Sequence, residues 1–206
     1  MKALGATLVT ALVGSQIWLN NISYKVIRVI DGDTFETAEH QRIRLADTNA
    51  PESGLCGSIE AKDQLEKLIQ NKQVFLKVLY KDSFDRLISW VYTSDGFTNE
   101  EMTKSGWAVY EQKTASRNES LTIARNQAKD AKKGVYSQLC AQTTNPLRPN
   151  CSIKANANRK LYHFPGCGQY NNTDVQLYLG DQWFCTEKEA QNAGFTKGSD
   201  CFNKTF

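Results

Sequence analysis

The stretch Tyr24-Lys25-Val26-Ile27-Arg28-Val29-Ile30-Asp31-Gly32-Asp33-Thr34-Phe35-Glu36-Thr37 sets the fold. Tyr24 to Ile30 is rich in Val, Ile and Tyr, which fit a pleated, half-buried surface, and it reads as a strand. Asp31-Gly32-Asp33 is a turn signal, and Thr34 to Thr37 resumes extended character. Glu39-His40-Gln41 reads as a hairpin tip. Arg42-Ile43-Arg44-Leu45-Ala46 then alternates with period two, the mark of a third strand. Pro51, Gly54 and Gly57 break the pattern.

Outward from this core the periods change. Over Glu60 to Gln70, Ala61, Leu65, Leu68 and Ile69 share one helical face. Val74 to Tyr80 and Leu87 to Tyr92 are two more strands, closed by a turn at Asp95-Gly96. Asn99 is placed to cap a short helix through Ser105, with Gly106 ending it. Leu121, Ala124, Ala128, Ala131 and Val135 outline a longer helix, broken by Gly134, with Lys129, Lys132 and Lys133 on its solvated face. Five strands with a helix after the third, then two helices, predict an α+β fold: a small Greek-key β-barrel carrying helices.

A chain of 206 residues with 40% hydrophobic and 23% charged residues holds one medium domain or a domain with an appendage, which excludes a disordered or fibrous protein. Residues 20–145 contain 17 Lys and Arg against 17 Asp and Glu, and residues 146–206 contain 7 against 5. Bulk charge therefore does not point to a polyanionic partner, and any such claim depends on local placement.

Lys2 followed by the apolar run Ala3–Leu19, with small residues at Val13-Gly14-Ser15, reads as a secretory signal, preferred to a retained membrane anchor. The expected division is a signal or anchor over 1–20, the barrel domain over 21–143, a linker over 144–150 and a small Cys-rich module over 151–206. An even set of cysteines, Cys56, Cys140, Cys151, Cys167, Cys185 and Cys201, fits disulfides in an oxidising compartment.

Chemistry concentrates in four places: Asp31-Gly32-Asp33-Thr34; Arg44 with Asn49, Ala50-Pro51 and Glu52; Arg86 between two strands; and the helix start at Asn99-Glu100-Glu101-Met102. Asp31, Asp33 and the Asn49–Glu52 segment supply hard oxygen ligands of the kind Ca²⁺ takes. Arg44 and Arg86 supply planar forks for phosphate oxygens, and Glu52 is suited to act as a base on water. Together these are the components of phosphodiester hydrolysis.

Here the chain resembles the staphylococcal nuclease (thermonuclease) family. The resemblance rests on Val29-Ile30-Asp31-Gly32-Asp33-Thr34, Arg44-Leu45-Ala46-Asp47-Thr48-Asn49-Ala50-Pro51-Glu52, Arg86 before Trp90-Val91-Tyr92, and Gly106-Trp107-Ala108, and it covers about residues 24–138. It implies a five-stranded OB-like β-barrel with three helices, and Ca²⁺-dependent endonuclease action on DNA and RNA at the bond to the 5′ oxygen. By the same resemblance Asp33 is a direct Ca²⁺ ligand, Asp31 acts through water, and the Ala50 carbonyl is a further ligand. Arg44 and Arg86 correspond to the phosphate-binding arginines and Glu52 to the general base. Asn49 stands where the family commonly has a metal-binding Asp. One formal charge fewer predicts weaker Ca²⁺ binding or a shifted preference among divalent ions.

From Cys151 the chain resembles a small cysteine-containing module related to the metal-binding domain of the Ada DNA-repair protein. Two readings stay open. Cys151, His163, Cys167, Cys185 and Cys201 include enough donors for zinc. The preferred alternative is two disulfides, guessed as Cys151–Cys185 and Cys167–Cys201, leaving Cys56 to pair with Cys140. The expectation as a whole is a secreted or membrane-anchored, monomeric endonuclease with DNA or RNA as substrate. The alternatives are a non-catalytic nucleic-acid-binding OB-like barrel and an extracellular interaction protein.

Overall fold

The computed structural model describes residues 22–114 and 118–206, so the signal or anchor expected over 1–20 lies outside the described residues. Among the described residues no helix is long and apolar enough to cross a membrane.

Strands β1 (Ser23–Val29), β2 (Thr34–Thr37) and β3 (Arg42–Leu45) form an antiparallel meander, with Phe35 opposite both Val29 and Ile43. After the short strand β4 (Thr48–Asn49) comes helix α1 (Ser58–Ile69), which buries Ala61, Leu65 and Ile69, four residues apart on one face. Strands β5 (Gln73–Lys81), β6 (Leu87–Thr93) and β7 (Gly96–Phe97) follow. The sheet order is β3-β2-β1-β5-β6-β7, and β3 also pairs in parallel with β6, Arg44 opposite Ile88. The sheet thus returns on itself. The expected five-stranded OB-like barrel is met as a mixed α+β domain with a six-stranded sheet, in which the short β7 folds back antiparallel onto β6. Val26, Val29, Phe35, Ile43, Leu45, Val74 and Val91 point inward onto Leu65 and Ile69.

Helix α2 (Thr98–Lys104) corrects one expectation: Asn99 does not cap it, because Phe97 holds the cap position. Asn99 is fully buried. Its Oδ1 accepts from Val91 N at 3.0 Å, and its Nδ2 donates to Ala46 O at 2.9 Å. A single amide thereby ties β6 to the end of β3. After β8 (Val109–Tyr110), helix α3 (Glu119–Asp130) starts at Asn118, whose side chain accepts from Leu121 N. The helix expected to reach Val135 stops at Asp130, and Val135 lies in a separate 3₁₀ turn. The reason is a close backbone crossing. A side chain on Gly134 would put its Cβ 2.3 Å from Gly106 O, and Val135 N donates to that oxygen at 2.9 Å.

Beyond β9 (Ala141–Gln142) a second, smaller sheet forms from β10 (Ile153–Asn156), β11 (Leu161–His163), β13 (Gln182–Phe184) and β14 (Thr196–Lys197), in the order β13-β10-β11-β14. Helix α4 (Glu187–Asn192), capped by Thr186, buries Ala190 against it. Strand β12 (Val175–Gln176) pairs with β9, and Trp183 Nε1 donates to Gln142 Oε1 at 2.8 Å, so the module is packed onto the first domain. Disulfides join Cys56 to Cys140, Cys151 to Cys185 and Cys167 to Cys201. This corrects the zinc alternative, since the module's cysteines are oxidised and offer no thiolate. His163 instead faces Asp200, Nδ1 to Oδ1 3.0 Å.

Candidate active site

The Asp31-Gly32-Asp33 turn joins β1 to β2 and is held by its own backbone. Ile30 N and Asp31 N both donate to Thr34 O, Asp33 N donates to Asp31 Oδ1 at 3.0 Å, and Leu45 N donates to Asp33 O at 2.8 Å. Gly32 is required by space. A Cβ there would lie 2.5 Å from Ala61 Cβ and 2.6 Å from Ala50 Cβ, so the turn is pressed between α1 and the segment carrying Ala50.

Asp33 is buried and fully engaged. Its Oδ1 accepts from Thr34 Oγ1 at 2.9 Å, its Oδ2 accepts from Ala50 N at 3.1 Å, and Arg44 Nη2 pairs with Oδ2 at 2.9 Å. Burial pushes its carboxyl up to about 6; the Arg44 guanidinium opposes the rise and the Asp31 carboxylate adds to it. Arg44 Nη2 also donates to Asn49 Oδ1 at 2.7 Å. β4, which carries Asn49, is pinned to β8 by the Asn49–Val109 pair. Asp47, two residues earlier, faces elsewhere: its carboxylate accepts from Lys113 N and Thr114 N, both at 2.8 Å.

Arg86 is aimed by Asp82, a residue that the sequence reading did not single out. Asp82 Oδ2 accepts from Arg86 Nε and faces Nη2, both at 2.9 Å, while Oδ1 accepts from the backbone N–H groups of Phe84 and Arg86. Burial alone would raise the Asp82 carboxyl, but these donors together hold it below the usual range. The visible signal was a carboxylate four residues before an arginine, a spacing easily mistaken for an ordinary exposed pair. Glu52, by contrast, is exposed, and among the described residues its carboxylate has no hydrogen-bond or ion-pair partner.

Asp31, Asp33, Arg44, Ala50, Pro51, Glu52 and Arg86 line one cavity of about 50 Å³. They come from the β1–β2 turn, β3, the loop before α1 and the end of the β5–β6 turn. The parallel β3–β6 pair brings the two arginines together. Asn49 is not in the lining; its amide oxygen rests on Arg44. Three carboxylates against two guanidinium groups leave the lining with one net negative charge. Such a hard-oxygen donor set fits a divalent cation.

Two family models and several curated proteins match the chain. Residues 42–138 match the family described as staphylococcal nuclease homologue, and residues 130–197 match one described as ArfC. The latter replaces the expected Ada-type metal-binding module. An uncharacterized endonuclease of Escherichia coli O157:H7 is 33% identical over 122 residues, covering 57% of this chain and 78% of the relative. The thermonuclease of Staphylococcus hyicus is 29% identical over 131 residues, with the same coverage of each. A probable staphylococcal-like nuclease of Oryza sativa subsp. japonica is 30% identical over 131 residues, covering 64% of this chain and 33% of the relative.

Proposed function

The chain belongs to the staphylococcal nuclease family, and on that premise we propose that it is a divalent-cation-dependent endonuclease, with Ca²⁺ as the ion, that hydrolyses DNA at the 5′ oxygen, with RNA as the further substrate to be tested. The observation that carries the reading is the meeting of Asp33, Arg44, Glu52 and Arg86 in one cavity, from four separate parts of the chain.

Asp31, Asp33 and the Ala50 carbonyl would hold the cation, which supplies Lewis-acid polarisation of a phosphoryl oxygen when bound. The remaining work falls to the chain's own side chains. Arg44 and Arg86 take the non-bridging oxygens of the scissile phosphate, and both forks arrive already aimed, Arg44 by Asp33 and Asn49 and Arg86 by Asp82. Glu52, unpaired and exposed, accepts the proton of the attacking water. The charges match: a divalent ion turns the lining from one net negative to one net positive charge, opposite to a phosphodiester.

In this reading catalysis belongs to 21–143, with the module at 151–206 joined to it through 144–150. Three disulfides fit an oxidising, extracytoplasmic setting and support secretion. The test is plasmid and RNA cleavage over a series of divalent ions with a chelator control. Cleavage should need the ion and fall by about 10² or more in Glu52→Gln and Arg86→Ala. Binding without cleavage under every ion would favour a non-catalytic barrel instead. Asn49→Asp should tighten Ca²⁺ binding in a direct titration; an unchanged affinity would remove the charge argument.

A further inference from the structure

Two cations that the mechanism does not use stand at the two ends of the candidate site. Arg42 precedes Arg44 by two residues on β3, so the two side chains leave the same face of the strand, about 6.6 Å apart along it. Arg42 is exposed, and among the described residues its guanidinium makes no hydrogen bond or ion pair. With His40, Gln41, Phe84 and Asp85 it walls a cavity of about 190 Å³. The Phe84 ring, 74% exposed, lies 5.3 Å from Arg86 Cζ, which places this cavity against the arginine end of the site.

At the carboxylate end a second cavity, also about 190 Å³, has Lys62, Ser53 and Ser58 in its walls. It shares Asp31 and Pro51 with the site itself. Among the described residues Lys62 is held only by Glu66, at 4.0 Å and with both side chains over 40% exposed, a contact too loose to commit its charge. By comparison Lys72, Lys113 and Lys197 meet their acidic partners at 3.0 Å or less.

A site that cuts within a strand must let the chain of phosphates enter and leave, and each exit here has an open cavity and an uncommitted cation. We propose that nucleic acid crosses the site along a track from Arg42 to Lys62, each holding a phosphate that flanks the scissile one. The assignment rests on the nuclease reading and adds to it the course of the substrate strand. The Arg42–Arg44 separation sets the step: neighbouring forks on one strand face meet successive phosphates of an extended chain. Phe84 gives the Arg42 exit an apolar wall.

The test separates the track from the chemistry. Binding of a labelled single strand about ten nucleotides long is followed by fluorescence anisotropy with Ca²⁺ in Glu52→Gln protein, over a range of salt. Arg42→Ala and Lys62→Ala should each weaken binding about fivefold and reduce the slope of log affinity against log salt by about 0.7. Lys129→Ala on the exposed face of α3 should leave that slope unchanged. With Glu52 restored, each track variant should lose more kcat/KM on the long strand than on a dinucleotide. Unchanged slopes in both variants, or equal losses on the two substrates, would overturn the track. Protein that binds with the expected slopes yet cuts nothing keeps the track and removes the nuclease reading; cleavage with unchanged slopes does the reverse.

Discussion

The six-stranded domain and the C-terminal module reach order by different routes. In the first, one contiguous apolar cluster runs from Val26 and Phe35 on the sheet through Leu65 and Ile69 on α1 to Met102 on α2 and contains no disulfide; Cys56–Cys140 sits in a separate small cluster with Val135 and Tyr178. The module's cluster is smaller, and Cys167 and Cys201, bonded to each other, are members of it. It also buries polar groups: Lys154 Nζ donates to the carbonyls of Tyr170 and Thr173, and Asp181 accepts from Ala157 N and Gln176 N. A small domain buries too little apolar surface to offset its chain entropy, so covalent staples replace core volume. The difference teaches where each region is vulnerable.

Removing the ring of Phe35 should lower the unfolding free energy by about 4 kcal/mol, read from urea melts of Phe35→Ala. A loss below about 1 kcal/mol would mean that the sheet core is not what holds the first domain. Next in size, Cys167→Ala with Cys201→Ala should cost the module about 3 kcal/mol. Hydrogen exchange should then rise in β10 and β11 while β1 to β3 stay protected; equal loosening of both regions would break the contrast. Asn99→Ala strands Val91 N and Ala46 O in the interior and should cost about 2 kcal/mol, again by urea melt. The smallest effect is one of acidity.

Burial raises the Asp33 carboxyl to about 6, so on the proposed metal role affinity for a divalent ion should weaken as pH falls below about 6. In the module, burial would raise Glu187 and Asp200, but Lys197 and Tyr162 hold the first below its usual range, and Gln169 N and His163 the second. Groups depressed in the fold stabilise it above their unfolded values near 4 and release that stability only as pH falls further. Titration should therefore remove ion binding well before the module melts; coincident loss would sink this ordering.

Legibility followed the same divide. Strands β1 to β3, β5 and β6 and helix α1 announce themselves by period and by β-branched residues, because each has one face in a large core. The two-residue strands β4, β7 and β8 carry no period, and neither do the short strands of the module. Asn99 looks like a cap because its type favours caps, while its actual work is across the sheet. Val135 continues a helical spacing that the Gly106–Gly134 crossing cuts short, a contact between backbones far apart in sequence. At the candidate site the residue types were readable one by one, while their convergence was expected only through the family resemblance, since it depends on the parallel β3–β6 pair. The supporting carboxylate, Asp82, was hidden in a turn.

Cys56 follows Glu52 by four residues, and its partner Cys140 leads directly into β9 while its carbonyl accepts from Leu177 N of the module at 2.8 Å. The loop bearing the proposed base is thus moored to a body outside the nuclease sheet. That one bond shortens the free span between Glu52 and the chain end of the domain, so the loop has fewer conformations to sample. Cleavage rates of Cys56→Ser with Cys140→Ser, set beside the intact chain, would report what that one bond contributes to the loop.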